Sequence, residues 1–505
     1  MEDQVMRISR RHLAKLLGGA MLLTAVLPAQ AAPRTDLVLG MTTEPAGLDP
    51  TVAAPVTIGQ VTWQNVYEGL VRIDRDGKVQ PQLAESWTVS PDGLTYTFKL
   101  RSGVSFHDGE AFDSAAAKFT LDRARGEASV NPQKPFFAVI DSVDAPDAGT
   151  LTLRLKRPAS NLLYWLGWPA AVMVPPKAAD TIKTTPIGTG PFRFESWAKG
   201  DRVVLKKNAD YWDKAGAAAL DQVTFRFIGD PQAQLAAVQS GDVDAFPLFA
   251  APELFTTLQS DKRFTTEVGK TEMKVVAGLN GAKKPFSDPR VRQALMMAID
   301  RNVLIEGAYS GFGTAIGSHY TPNDPGYQDL TSVYPYDPEK AKALLAEAGY
   351  DGTLAFTIKA PQMPYATRSA EIMQAMFAEV GVNMTIEPTE FPARWVADVF
   401  SGKNFDMTIV AHAEPMDVAI YSRPNYYFGY TNPAVDAAIS QAEQATSEED
   451  RLKSYGEVQS ILAKDVPALY LFVLPKLAVW NANLQGFWTN EPIPSNDLTE
   501  VRWTQ

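Results

Sequence analysis

The chain has no cysteine among its 505 residues. That excludes disulfide staples, cysteine-bound metals, a thiol nucleophile and a lipid-modified N-terminal cysteine. Stability must come from core burial, and the chain is long enough for that. Histidine is scarce, with four in all. Only His107, His319 and His412 lie beyond residue 31. A three-histidine metal site would need all of them, drawn from distant segments. Positive charge is also short: 47 Lys and Arg face 58 Asp and Glu, for a net charge of −11. The first 31 residues hold four basic and two acidic groups, so the remainder carries −13. Such a chain repels nucleic acid, and no basic run or Arg/aromatic patch argues otherwise. There is no internal repeat, no low-complexity linker and no Gly-x-Ser-x-Gly elbow.

Long apolar runs are missing too, except near the start. Arg7, Arg10, Arg11 and Lys15 precede an apolar run from Leu16 to Leu27. That run is too short to span a bilayer but suits the core of a secretory signal. Ala29-Gln30-Ala31 supplies small residues for cleavage, so residues 1–31 are expected to be a signal peptide and Ala32 the mature start. Ser9-Arg10-Arg11-His12-Leu13 also fits a twin-arginine signal, leaving the Sec and twin-arginine routes both open. A free periplasmic protein is expected.

What is present is an alternation of helix and strand patterns, which predicts α/β lobes. Asp230-Pro231, Asp288-Pro289, Asp337-Pro338 and Asn432-Pro433 each read as an N-cap followed by proline at the first helical position. Gly241 and Gly349 sit where helix stops are expected. Leu94–Leu100 and Thr150–Leu155 alternate as half-buried strands. Val223–Ile228, Asp406–Val410 and Ala468–Leu474 read as buried ones. About 470 residues exceed one core, so two or three lobes are expected.

An ordered series of segments resembles a known family. It runs from Thr43-Glu44-Pro45-Ala46-Gly47-Leu48-Asp49-Pro50 through Asn65-Val66-Tyr67-Glu68-Gly69-Leu70 and Gln82-Leu83-Ala84-Glu85-Ser86-Trp87. It continues with Ile187-Gly188-Thr189-Gly190-Pro191-Phe192 and Asn208-Ala209-Asp210-Tyr211-Trp212. Phe286-Ser287-Asp288-Pro289-Arg290-Val291-Arg292 follows. The series is similar to the family 5 extracellular solute-binding proteins of bacterial ABC importers, which include dipeptide, oligopeptide, nickel and opine receptors. The resemblance implies a periplasmic-binding-protein fold (class II, cluster C-like): two α/β lobes joined by a hinge, with an additional domain inserted in the first. By analogy lobe I spans 33–60, 187–275 and 470–505, the inserted domain 61–186, and lobe II 276–469.

The same resemblance places Asp417 where peptide receptors hold a ligand's α-ammonium, after the strand Phe405-Asp406-Met407-Thr408-Ile409-Val410. Three departures stand out. Val418 replaces the usual proline, Ala411 the usual tryptophan, and Met363 the arginine that clamps a dipeptide's carboxylate before Pro364-Tyr365. Arg368 is a weak substitute for that clamp. Arg423, in Tyr421-Ser422-Arg423-Pro424, is the better anion partner. His412 and Glu414 are candidates for hydrogen bonds, because loops after strand ends hold ligands in α/β lobes. Tyr421 belongs to the same polar and aromatic segment, and Trp395 could form an aromatic wall. From lobe I, Thr42, Thr43 and Glu44 would face the cleft by analogy. His107-Asp108-Gly109 reads as a turn before a helix capped by Asp113.

The expected role is capture of a small peptide-like or amine-bearing solute by lobe closure. Delivery would follow to an inner-membrane permease with its cytoplasmic ATPase subunits. A monomer without cofactor or catalytic group is expected. Opine, sugar-amine and chelated-metal receptors of the same family are alternatives. A hydrolase using Glu414 and Asp417 as paired carboxylates is disfavoured, because Pro415 interrupts any helix through Glu414.

Overall fold

The computed structural model describes residues 34–53, 55–415 and 417–504. The expected signal peptide lies outside them. Ten strands follow one another across a single mixed sheet, and the short strand Thr314–Ala315 pairs off this path. One half of the sheet is built from Asp36–Met41, Gln222–Phe227, Arg202–Lys207 and Phe192–Ala198. The first two run parallel, with Leu37 opposite Val223 and Leu39 opposite Phe225, all fully buried. The other half holds Leu354–Pro361, Val382–Thr389 and Met407–His412, again with parallel neighbours. Continuous apolar runs suit such strands because both faces are covered.

Two long strands join the halves. Phe264–Leu279 pairs with Ala468–Asn481 along most of its length. Residues 264–270 pair with 475–481, beside the first half; residues 274–278 pair with 468–473, beside the second. The register shifts between Lys270 and Lys274, at the crossing itself. The second strand runs seven residues beyond the expected Leu474, because Leu477, Ala478, Val479 and Trp480 are also buried. A third segment braces the crossing. Glu491 N–H donates to Lys270 O (2.8 Å), and Thr271 and Glu491 form an isolated bridge. The fit is tight: a Cβ on Gly269 would lie 1.8 Å from Thr489 O.

The four Asp/Asn-Pro helix starts are real. Asp230, Asp288, Asp337 and Asn432 accept hydrogen bonds from first-turn backbone N–H groups at Pro231–Ser240, Pro289–Met297, Pro338–Glu347 and Pro433–Gln444. Each such cap contributes about 1 kcal/mol. Gly241 ends the first of these at φ +83°, a left-handed conformation favoured by glycine. A separate antiparallel sheet of Ala84–Val89, Thr95–Leu100, Thr150–Leu155 and Ile140–Asp147 has its own core under the helix Ser114–Arg125. Asp113 caps that helix, and the His107–Gly109 turn precedes it, with Gly109 at φ +89°.

Candidate functional site

A cavity of about 230 Å³ lies between the halves. Its walls differ in chemistry. One side is apolar and aromatic: Pro55, Phe136, Trp165, Trp168, Pro169 and Pro494 contribute to it. Phe136 stacks on Trp165 with ring centroids 3.8 Å apart. The other side follows the strand Met407–His412 and carries His412, Glu414, Asp417, Arg423 and Tyr426, with Phe400 at the rim. Pro415 stops regular structure after the strand, and a 3-10 turn then starts at Asp417 and runs to Ser422. That turn carries the chain towards Arg423.

Asp417 is the electrostatic centre of the polar wall, and it is 5% exposed. Its Oδ1 lies 3.1 Å from Lys274 Nζ and 3.0 Å from His319 Nε2. Its Oδ2 lies 3.4 Å from His412 Nδ1. Tyr421 OH meets His319 Nδ1 at 3.2 Å. A donated proton there leaves the imidazole proton on Nε2, facing Asp417. Burial pushes His319 down to about 4, so it is neutral at pH 7. Lys274 is the buried cation of the cluster. Burial alone would lower its pKa, but Asp417, Asp324 and Glu272 outweigh burial and raise it. Burial alone would raise the Asp417 carboxyl, but His319 and Lys274 hold it well below the usual range. The carboxylate expected to take a ligand ammonium is therefore already paired inside the protein.

His319, His412 and Asp417 bring three ligand-type atoms within 4.8 Å of one another. They do not fit a bare divalent cation. Lys274 already supplies the positive charge that Asp417 needs, and a metal seated there would face that ammonium at close range.

Of the nine residues singled out from sequence, His412, Glu414, Asp417 and Arg423 line the cavity. Arg423 is exposed and also lines an adjoining groove; neither it nor Glu414 has an ion-pair partner among the described residues. Tyr421 and Trp395 stand one layer behind. Tyr421 supports His319, and Trp395 donates to Thr408 Oγ1 (2.9 Å) while packing on Tyr427 and Phe400. Thr42, Thr43 and Glu44 are not brought to this cavity. Thr42 accepts from Gln234, and Glu44 accepts from Trp197 Nε1 (2.9 Å) and Gly200 N (3.1 Å). Arg368 instead makes two bonds to Glu253 in the other half of the molecule. Sequence reasoning missed Lys274 and the aromatic wall. A lone lysine inside Met273-Lys274-Val275-Val276 was the available signal for the first. The pair Trp165 and Trp168 beside Pro169 was the signal for the second.

The comparisons agree with this architecture. The family described as bacterial extracellular solute-binding proteins, family 5 Middle, matches residues 78–433. The glutathione-binding protein GsiB of Pectobacterium atrosepticum is 33% identical over 525 residues, covering 98% of this chain and all of its own. GsiB of Salmonella typhimurium is 32% identical over 487 residues, covering 92% of this chain and 93% of its own. Among solved structures, AgaA of A. tumefaciens R10 in complex with agropinic acid superposes with a TM-score of 0.82 at 26% identity, covering 93% and 99%. DppA of Helicobacter pylori in complex with the peptide STSA gives 0.81 at 25%, covering 94% and 99%. No described helix is long and apolar enough to cross a membrane. The chain belongs to the family 5 bacterial extracellular solute-binding proteins, the substrate-binding components of ABC transporters, and is a binding protein rather than an enzyme.

Proposed function

We propose that this protein captures a small peptide-like or amino-acid-conjugate solute in the cavity between its halves and delivers it to an inner-membrane permease. The permease's cytoplasmic ATPase subunits would drive import. The observation that carries the reading is a cavity whose two walls come from opposite sides of a two-strand crossing. A solute touching both walls favours the closed state by its differential contacts. The cavity is small and shares Phe136, Trp165 and Arg423 with an adjoining groove.

The chemistry narrows the class further. Arg423 takes a carboxylate, Glu414 takes donors, and the Phe136–Trp165–Trp168 wall takes the carbon skeleton. Glutathione and the opine acids bound by relatives carry such groups. The protein acts as a periplasmic monomer after loss of residues 1–31. Lobe I (33–60, 187–275, 470–505) with its insert (61–186) turns against lobe II (276–469).

Native mass spectrometry of the purified chain, followed by melting curves with glutathione, opines and di- and tripeptides, tests the reading. A solute at 100 times its Kd adds about 2.7 kcal/mol. Retention of one such solute, returned chemically unchanged, is expected. No stabilisation across the panel, or a processed product, overturns it.

A further inference from the structure

Lys274 is fully buried in a strand whose neighbours Val275 and Val276 are also fully buried. A lysine costs several kcal/mol in such a place unless its charge is met. Here the ammonium is met by two hydrogen bonds and one ion pair. It donates to Glu414 O (2.7 Å) and Glu272 O (3.2 Å), and it lies 3.1 Å from Asp417 Oδ1. Two of those three groups, Glu414 and Asp417, follow the strand Met407–His412 on the polar wall of the cavity. Lys274 thus holds this wall from behind while Asp417 looks into the cavity from the front.

We infer that Lys274 is a specificity-determining residue: its ammonium fills, from inside the protein, the seat beside Asp417 that a ligand's ammonium would otherwise take. The inference rests on the reading of the cavity as the ligand site. With Asp417 neutralised, Glu414 and Arg423 are the cavity groups whose charges remain uncommitted. The cavity then selects carboxylate-bearing conjugates whose binding does not depend on an ammonium at Asp417. A simple α-amino peptide gains nothing there.

Two measurements test this. The first needs no cognate ligand. In Lys274→Ala the seat is vacated, so ethylammonium chloride should raise the melting temperature by several degrees more than sodium or tetramethylammonium chloride. The wild type and Lys274→Ala/Asp417→Asn should show no such preference. If Lys274→Ala is unfolded alone, recovery of native ellipticity in ethylammonium only is the same result. Equal rescue by tetramethylammonium, no rescue by any salt, or an equal ethylammonium effect on the wild type overturns the inference.

The second measurement uses Lys274→Ala, which removes the charge and opens the seat. Affinities are compared for glutathione and N-acetylglutathione, and for dialanine and N-acetyldialanine. The preference for the free amine should grow at least about tenfold over the wild type, the size of one charge-assisted bond. An unchanged preference overturns the inference. If no probe binds the wild type, the proposed ligand class fails, while the ethylammonium comparison still decides the role of Lys274.

Discussion

Two carboxylates, Asp417 and Glu68, are both buried and both held by several partners, yet they are held in opposite ways. Glu68 accepts from Thr189 (2.7 Å), Tyr211 (2.7 Å), Trp212 Nε1 (2.8 Å) and Gln82 (3.2 Å), all neutral donors. Burial outweighs these bonds and pushes its pKa up to about 7. Asp417 has a buried ammonium beside it and is held well below its ordinary 3.8. Donor number therefore does not decide the charge state; a formal cation at contact distance does. Glu68 ties the Asn65–Leu70 segment to Thr189 and Trp212, whereas Asp417 opens onto the cavity. The same residue class ties segments together in one place and faces the cavity in the other.

The largest effect should come from breaking the charged case on one side only. Asp417→Ala removes the carboxylate in contact with the buried Lys274 ammonium, and urea unfolding should show a loss of about 3–5 kcal/mol. Asp417→Asn with Lys274→Met removes both charges and should recover most of that loss. Equal losses in the single and double variants would show that charge pairing is not the cause.

Glu68→Gln should cost less, about 1–3 kcal/mol, through one mismatched hydrogen bond. It should also change the pH response. A carboxyl raised from 4.5 to about 7 gives stability that is fully present below 4.5 and is lost as pH rises through 7. Asp417, being depressed, gives stability that is present above 3.8 and is lost as pH falls through its lower folded value. Melting curves of Glu68→Gln should therefore lose slope between about pH 4.5 and 7. Those of the Asp417/Lys274 double variant should lose slope only below pH 3.8. The smallest stability effect is expected at Arg423→Ala, within about 0.5 kcal/mol for an exposed residue. Calorimetry should still show affinity for a carboxylate-bearing solute falling about tenfold.

The polar wall was legible in the sequence because it is one contiguous stretch after a strand, and its order matches the family. His412, Glu414, Asp417 and Arg423 could be named from that alone. The apolar wall was not. Phe136, Trp165 and Trp168 come from separate short helices and an adjoining loop, and such residues read as core when nothing shows what faces them. Lys274 escaped for another reason: its partner Glu414 is 140 residues away, and no local period announces a lysine that points inward. Secondary structure was easier where caps and period agreed, as at Asp230-Pro231. It was harder at Ala468–Asn481, where Lys476 interrupts the apolar run yet stays in the strand by donating to Trp488 O (2.6 Å).

The segment that braces the crossing also reaches the cavity. Thr489 and Glu491 lie flat on the 269–271 edge, and three residues after Glu491 the chain contributes Pro494 to the apolar wall. Gly269 leaves no slack between them. Whatever presses on Pro494 is thus three peptide units from the pivot. Under the proposed closure, a solute pressing on Pro494 would act on the crossing through the backbone of residues 491–494.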